Sequence, residues 1–222
     1  MLIFIFFPYN SFMEEEKVKL IIFDLDGTIA DALPVTIEIA LKLNDKLKLF
    51  KNEEVNIEEF RNMSSWDFIN KLRMPKYKMF YYIWKFRKII GARTENIPVF
   101  PGMKDTLEKL NKAGVKLAMV TSNSTGNARK FLKFNNIDVF DLVESPLFVF
   151  DKASVIKRVM KKLNVKPEDT VYVGDETRDI ESAREAGVKS VSVTWGYHFR
   201  DLLVRYKPNY MIDKPEELLG LI

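Results

Sequence analysis

The chain has 222 residues, 47% hydrophobic and 30% charged, which supplies a sizeable core and excludes a disordered polypeptide. It contains no Cys, so disulfides, thiolate nucleophiles and cysteine-held zinc or iron–sulfur centres are excluded, and a single His removes most histidine-based metal sites. The formal charge of +4 favours small anionic ligands without requiring nucleic acid.

The apolar start, Met1 to Pro8, is far shorter than the ~20 residues of a spanning helix and has no basic residue before it. No transmembrane segment and a cytoplasmic location are therefore expected. Residues 1–12 read as an extension ahead of a natural start at Met13; the other reading is an edge strand or a packed arm. Lys19 to Phe23 is a continuous apolar run ending in acidic residues, the pattern of a strand buried on both faces of a parallel sheet. Similar runs recur at Lys116–Val120, Thr170–Val173 and Ser190–Val193, each ending in polar or small residues.

Helical patterns lie between them, over Gly102–Ala113, Thr125–Asn135, Asp151–Asn164 and Thr177–Ala186. Gly114, Asn164 and Gly187 stand where a helix-ending residue adopts positive φ. Strands alternating with helices predict a doubly wound, mostly parallel α/β sheet, in which ligands bind beyond the carboxyl ends of the strands. The alternation breaks between Asp31 and Val99, where Pro34–Phe50, Ile57–Leu72 and Lys76–Ile90 read as helices. The expected organisation is an α/β core of residues 13–30 and 100–222 with a helical cap, 31–99, inserted after the first strand.

Asp24 and Asp26 follow that strand, and Gly27 permits a sharp turn. Alternate residues of an extended segment share a side, so both carboxylates can address one ligand, with a metal offsetting their repulsion. Asp175 and Asp179 can close an oxygen-rich site for a hard cation. Thr121 brings a hydroxyl at another strand end, Ser122 and Asn123 bring backbone N–H groups, and Lys152 brings positive charge, with Lys157 as the alternative cation. Together these parts can hold a phosphoryl group.

The ordered motifs Asp24-Leu-Asp26-Gly-Thr28, Thr121, Lys152 and Gly174-Asp175-Glu-Thr-Arg-Asp179 resemble the haloacid dehalogenase superfamily, in its phosphoglycolate-phosphatase-like branch with a small helical cap. The resemblance covers about Lys19 to Asp213. It implies that Asp24 attacks phosphorus and forms an aspartyl-phosphate, while Asp26 protonates the leaving oxygen and then activates water. It also implies Mg2+ held by Asp24, the Asp26 backbone carbonyl and Asp175. Thr121 and Lys152 complete the phosphate clamp, and Asp179 orients Lys152 or a metal-bound water. The implied substrate is a small phosphorylated metabolite, with phosphoglycolate first and sugar phosphates or pyrophosphate open. A phosphomutase is the close competitor; a dehalogenase is disfavoured because dehalogenation leaves no oxygen for Asp26 to protonate.

From Lys71 through Arg93 the sequence has basic residues and no acidic ones, interleaved with aromatics. This reads as an amphipathic cap helix with a basic solvent face, preferred over a nucleic-acid or membrane-binding surface. At ~100° per residue Lys78, Lys85 and Lys88 share a side while Arg87 falls about opposite Lys78. Arg87 is thus placed along apolar surface or toward a substrate carboxylate or second phosphate, with Arg61 and Asn62 as further specificity candidates. His198 is expected to be structural. Ala32 stands where relatives often have Ser, so substrate contacts there do not transfer.

Overall fold

The computed structural model describes residues 18–47, 56–64, 67, 70–71, 76–146 and 151–222. The expectations for residues 1–12 and Met13, for Phe50 and for Leu72 lie outside these residues. Strands β1 (Leu20–Phe23), β2 (Lys116–Val120), β3 (Leu142–Glu144), β4 (Thr170–Gly174), β5 (Lys189–Val193) and β6 (Tyr210–Ile212) form one sheet in the order β3-β2-β1-β4-β5-β6. Every pairing is parallel. The described helices are α1 (Leu33–Leu47), α2 (Ile57–Arg61), α3 (Lys76–Gly91), α4 (Met103–Lys112), α5 (Thr125–Phe134), α6 (Lys152–Leu163), α7 (Thr177–Ala186) and α8 (Arg200–Arg205).

The central strand shows why its sequence is apolar throughout. Ile21 and Phe23 face a layer containing Met103, Leu107 and Phe131, whereas Leu20 and Ile22 face one containing Val155, Ile156 and Tyr172. A strand covered by helices on both sides has no solvent face on which to place polar residues. The edge strands β3 and β6, three residues each, are too short to stand out as apolar runs. Asn164 and Gly187 end α6 and α7 in the left-handed conformation, as their positions predict.

Between β1 and β2 the described chain contains helices and no strand longer than a single bridge. Its departing and returning segments run antiparallel: Asp31 N donates to Pro98 O and Phe100 N to Ile29 O, flanking an Ala30–Val99 bridge. The expected helix Ile57–Leu72 is interrupted. It stops at Arg61, and Ser64 Oγ then accepts from Asp67 N, the side-chain bond that starts a new helical turn. At Ser64 a side-chain oxygen takes the place of a backbone acceptor, which breaks the run.

Helix α3 spans the expected residues. Ile90 is buried and Phe86 and Ile89 pack on the core, while Lys78, Lys88, Tyr81 and Trp84 are exposed. The ammonium groups of Lys85 and Lys88 lie 5.8 and 5.4 Å from the ring centroids of Tyr81 and Trp84. The basic and aromatic residues of this face therefore contact one another along the helix.

Ile156 is fully buried on the inner face of α6, and its neighbour Lys157 is exposed. Replacing Ile156 by Ala is expected to cost about 2–5 kcal/mol in urea unfolding, through lost burial and a residual cavity.

Candidate active site

The strand order reverses between β1 and β4, where an open α/β sheet leaves a crevice beyond its carboxyl ends. Asp24 is the first residue past β1, and its N–H donates to Val173 O on β4 at 2.9 Å. That bond sets its carboxylate beside the residues that follow β4. Asp24 is 3% exposed. Its Oδ1 accepts from Leu25 N at 2.8 Å and its Oδ2 from Lys152 Nζ at 2.8 Å. The same ammonium donates to Asp179 Oδ1 at 2.5 Å. Lys152 opens α6 and is 1% exposed. Burial opposes its charge, but Asp179 and Asp24 outweigh burial and hold its pKa above the ordinary lysine value. Lys157 points to solvent, so Lys152 is the cation at the sheet edge.

Asp175 is fully buried beside this group. Thr28 Oγ1 donates to its Oδ1 at 2.8 Å and Tyr197 N to its Oδ2 at 2.7 Å. Asp179 Oδ2 accepts from Glu176 N at 3.0 Å, across the first turn of α7. A Cβ on Gly27 or Gly196 would strike the Asp175 side chain, and one on Gly174 would strike Asp179. The acids are wedged against bare backbone, which fixes their directions. One carboxylate oxygen from each of Asp24, Asp175 and Asp179 lies within 4.8 Å of the others.

Burial, and to a lesser degree neighbouring carboxylates, raises Asp24 to about 6 even against Lys152, and raises Asp175 well above the ordinary range. The lysine charge is thus insufficient for the group, and a hard cation with oxygen ligands fits the donor set. The resemblance gives Asp175 to the metal and Asp179 an orienting role, whereas the structure sets both in one cluster. The Asp26 carboxylate is not part of this cluster.

Asp26 is partly buried, and its Oδ2 accepts from Asn123 Nδ2 at 3.1 Å. Burial and the Asp24 charge raise it to about 7. Thr121, buried at the end of β2, accepts the Asn123 N–H on Oγ1 at 3.0 Å. That bond corrects the expectation for Asn123: its N–H is engaged by Thr121, and its side chain holds Asp26. Ser122 Oγ is buried without a hydrogen-bond partner among the described residues.

The specificity candidates separate. Arg61 donates Nε to Tyr197 O at 3.0 Å and Nη2 to Gly196 O at 3.1 Å, and its guanidinium lies 4.1 Å from the Phe199 ring centroid. It binds α2 to the loop after β5, a use different from the expected substrate contact. Asn62 is the exposed C-terminal cap of α2. Arg87 is half-buried, with Nε and Nη2 lacking hydrogen-bond partners among the described residues. Burial and nearby Arg178 lower its pKa. His198 is buried, and its Nδ1 accepts the first N–H of α7, from Thr177, at 3.0 Å. This is a structural bond that requires the neutral ring nitrogen, and burial lowers its pKa.

Three further residues contribute to the site. Thr28 lies inside a quoted motif, four residues after Asp24, and its hydroxyl was the available signal. Tyr197 acts through its backbone. Arg178 is bound to Glu176 Oε1 at 2.6 Å while its Nε is buried and unpartnered among the described residues.

Replacing Lys152 by Met is expected to destabilise the metal-free protein by about 3–5 kcal/mol at neutral pH, because buried carboxylates lose their counter-charge. Lys157→Met should change chemical-denaturation stability by less than about 0.5 kcal/mol. The raised carboxyls have a second consequence. With folded values of about 6 and 7 against about 3.9 for an unfolded Asp, the native state holds protons that the unfolded chain has released. In EDTA, thermal stability is therefore expected to fall as pH rises from about 4 to about 7. Asp26→Asn should raise the melting temperature at pH 8 and flatten this slope.

The sequence model of a family described as haloacid dehalogenase-like hydrolase matches residues 21–193. A phosphoglycolate phosphatase of Synechococcus elongatus is 29% identical over 206 residues, covering 92% of this chain and 97% of that protein. A pyrophosphatase PpaX of Bacillus mycoides is 27% identical over 211 residues, covering 93% and 97%. The structure of a haloacid dehalogenase-like family hydrolase from Streptococcus pneumoniae has a TM-score of 0.74 at 26% identity, over 91% of this chain and 97% of the other. The family match covers most of the sheet and the residues Asp24, Asp26, Thr121, Lys152, Asp175 and Asp179 at its edge, and the chain belongs to the haloacid dehalogenase-like hydrolases.

Proposed function

We infer that this hydrolase is a cytoplasmic, Mg2+-dependent phosphatase that cleaves small phosphomonoesters through an aspartyl-phosphate on Asp24. The observation that carries this reading is the division of labour between two carboxylates two residues apart. Asp24 is buried against Lys152, whereas Asp26 is set apart on Asn123 with a higher pKa. Such separated environments suit a nucleophile and a proton carrier.

In the first step an Asp24 oxygen bonds to phosphorus, the bond from phosphorus to the leaving oxygen breaks, and Asp26 gives that oxygen its proton. In the second, Asp26 takes a proton from water, the water oxygen bonds to phosphorus, and the bond to Asp24 breaks to release inorganic phosphate. Asp24, Asp175 and the Asp26 carbonyl would hold Mg2+, with Asp179 orienting Lys152 or a metal-bound water. Bound Mg2+ supplies positive charge that offsets the repulsion between the carboxylates and the phosphate oxygens. Lys152, the Thr121 hydroxyl and the Ser122 hydroxyl, which has no partner among the described residues, clamp the phosphoryl group. Residues 31–99 act as the cap over this crevice.

Arg87 is the cap residue we assign to the leaving group. A guanidinium with two buried nitrogens that have no partner among the described residues, and with a second arginine nearby, is costly without an anion. A carboxylate or second phosphate on the substrate would satisfy it. The relatives named for phosphoglycolate and pyrophosphate hydrolysis act on compounds with such a second anion. Phosphoglycolate and pyrophosphate are therefore the first substrates to compare.

The test is phosphate release from these compounds, sugar phosphates and 4-nitrophenyl phosphate, with and without Mg2+. Asp24→Asn should abolish turnover, and equal release by wild type and this variant would defeat the mechanism. Arg87→Ala should lower kcat/KM about 10- to 150-fold for the doubly anionic substrates, from the loss of a charged hydrogen bond. It should leave 4-nitrophenyl phosphate nearly unchanged.

A further inference from the structure

Asp26 does not stand alone on Asn123. Asn123 Oδ1 accepts from Ser124 N at 2.8 Å and from Asn127 Nδ2 at 2.8 Å, and Asn127 Nδ2 also donates to the Arg87 backbone carbonyl at 2.8 Å. The polarity of this chain has one solution. A backbone N–H can only donate, so the Asn123 atom facing Ser124 is oxygen and its amino group faces Asp26. Arg87 O and Asn123 Oδ1 can only accept, so Asn127 must present both hydrogens of its amino group. A continuous series of hydrogen bonds thus runs from the Arg87 carbonyl near the end of α3, through Asn127 on α5, to Asn123 and the Asp26 carboxylate.

The fold makes room for this contact. Gly91, one turn beyond Arg87 on α3, packs so closely on Asn127 that a Cβ there would collide with the Asn127 amide. Asn127 keeps its own backbone N–H on Ser124 Oγ at 3.1 Å, so its main chain is fixed by the α5 cap independently of the side chain. The amide is therefore a separable part, held between a helix of the insertion and a loop of the sheet edge.

We propose that Asn127 is a positioning residue that ties the orientation of Asp26 to the seating of α3 against α5. It touches no reacting atom. When α3 is seated, both Asn127 hydrogens are engaged and Asn123 is braced to hold the Asp26 carboxylate. When α3 shifts, Asn127 loses its Arg87 acceptor and Asn123 loses part of its brace. The residue whose side chain we assign to the leaving group thus also supplies, through its carbonyl, the anchor for the group that protonates it. Substrate contact and proton delivery are coupled through one helix.

This inference rests on Asp26 acting as the acid of the proposed phosphatase, and the experiment separates the two. Asn127→Ala and Gly91→Ala are compared with wild type on alkyl phosphates, whose leaving oxygen needs a proton, and on 4-nitrophenyl phosphate, whose leaving group does not. Each variant should lose about 10- to 100-fold in kcat on the alkyl esters, with KM within about threefold, and much less on 4-nitrophenyl phosphate. In an Asn127→Ala background, Gly91→Ala should add no further loss, because the group it displaces is gone. In the metal-free protein, the Asn123 side-chain amide should exchange with solvent slowly in wild type and at least tenfold faster in both variants. This reading does not depend on turnover. Equal losses on both substrate types, full additivity of the two substitutions, or unchanged Asn123 exchange would overturn the coupling while leaving the phosphatase intact. A wild type that releases no phosphate from any ester would overturn both.

Discussion

A lysine ammonium buried between Asp24 and Asp179 is the contact on which the rest of the sheet edge depends. It joins α6 to the residues after β1 and to α7. Buried ions stabilise such an arrangement weakly at best, because desolvation consumes much of the attraction. What they provide is direction: each carboxylate has one oxygen on the ammonium and the other on a backbone N–H. With Asp175 adjacent, the group carries more negative charge than one lysine offsets. That imbalance is the physical basis for expecting a divalent cation.

The sheet positions this group because its central strands are parallel and end at one edge. Asp24, Thr121 and Asp175 come from β1, β2 and β4, neighbours in the sheet though dispersed in the chain. The glycines at 27, 174 and 196 complete the arrangement by letting backbone approach the acids closely. Stability and chemistry use different parts of the same strands. The apolar residues of the strands hold the layers, and the first polar residue beyond β1, β2 and β4 faces the crevice.

The fold was largely legible in the chain. Runs such as Lys19–Phe23 and helix ends such as Asn164 and Gly187 are local signals, set by burial on two faces and by the left-handed backbone conformation. The edge strands β3 and β6 were not, because three residues carry no readable period. The break after Arg61 was signalled by Asn62 and Ser64 but masked by the apolar spacing around them. Within the site, the acids were legible because they follow strands. Thr28 and Asn123 were harder to assign, since a hydroxyl or an amide near a strand end can bond in several directions and only its neighbours choose one.

The sequence by itself determined the order of the elements, the apolar identity of the core and the placement of Asp24, Asp26, Thr121 and Asp175 at strand ends. These follow from short-range periodicity and from the requirement that a doubly covered strand be apolar. Only the tertiary structure decided which polar group meets which. It placed Lys152 on an acid 128 positions away, spent Arg61 on the loop after β5, left Arg87 without a partner among the described residues and joined Asp26 to α3 through two asparagines. Hydrogen bonds over such separations depend on the packing of helices against the sheet, and no local pattern encodes that packing.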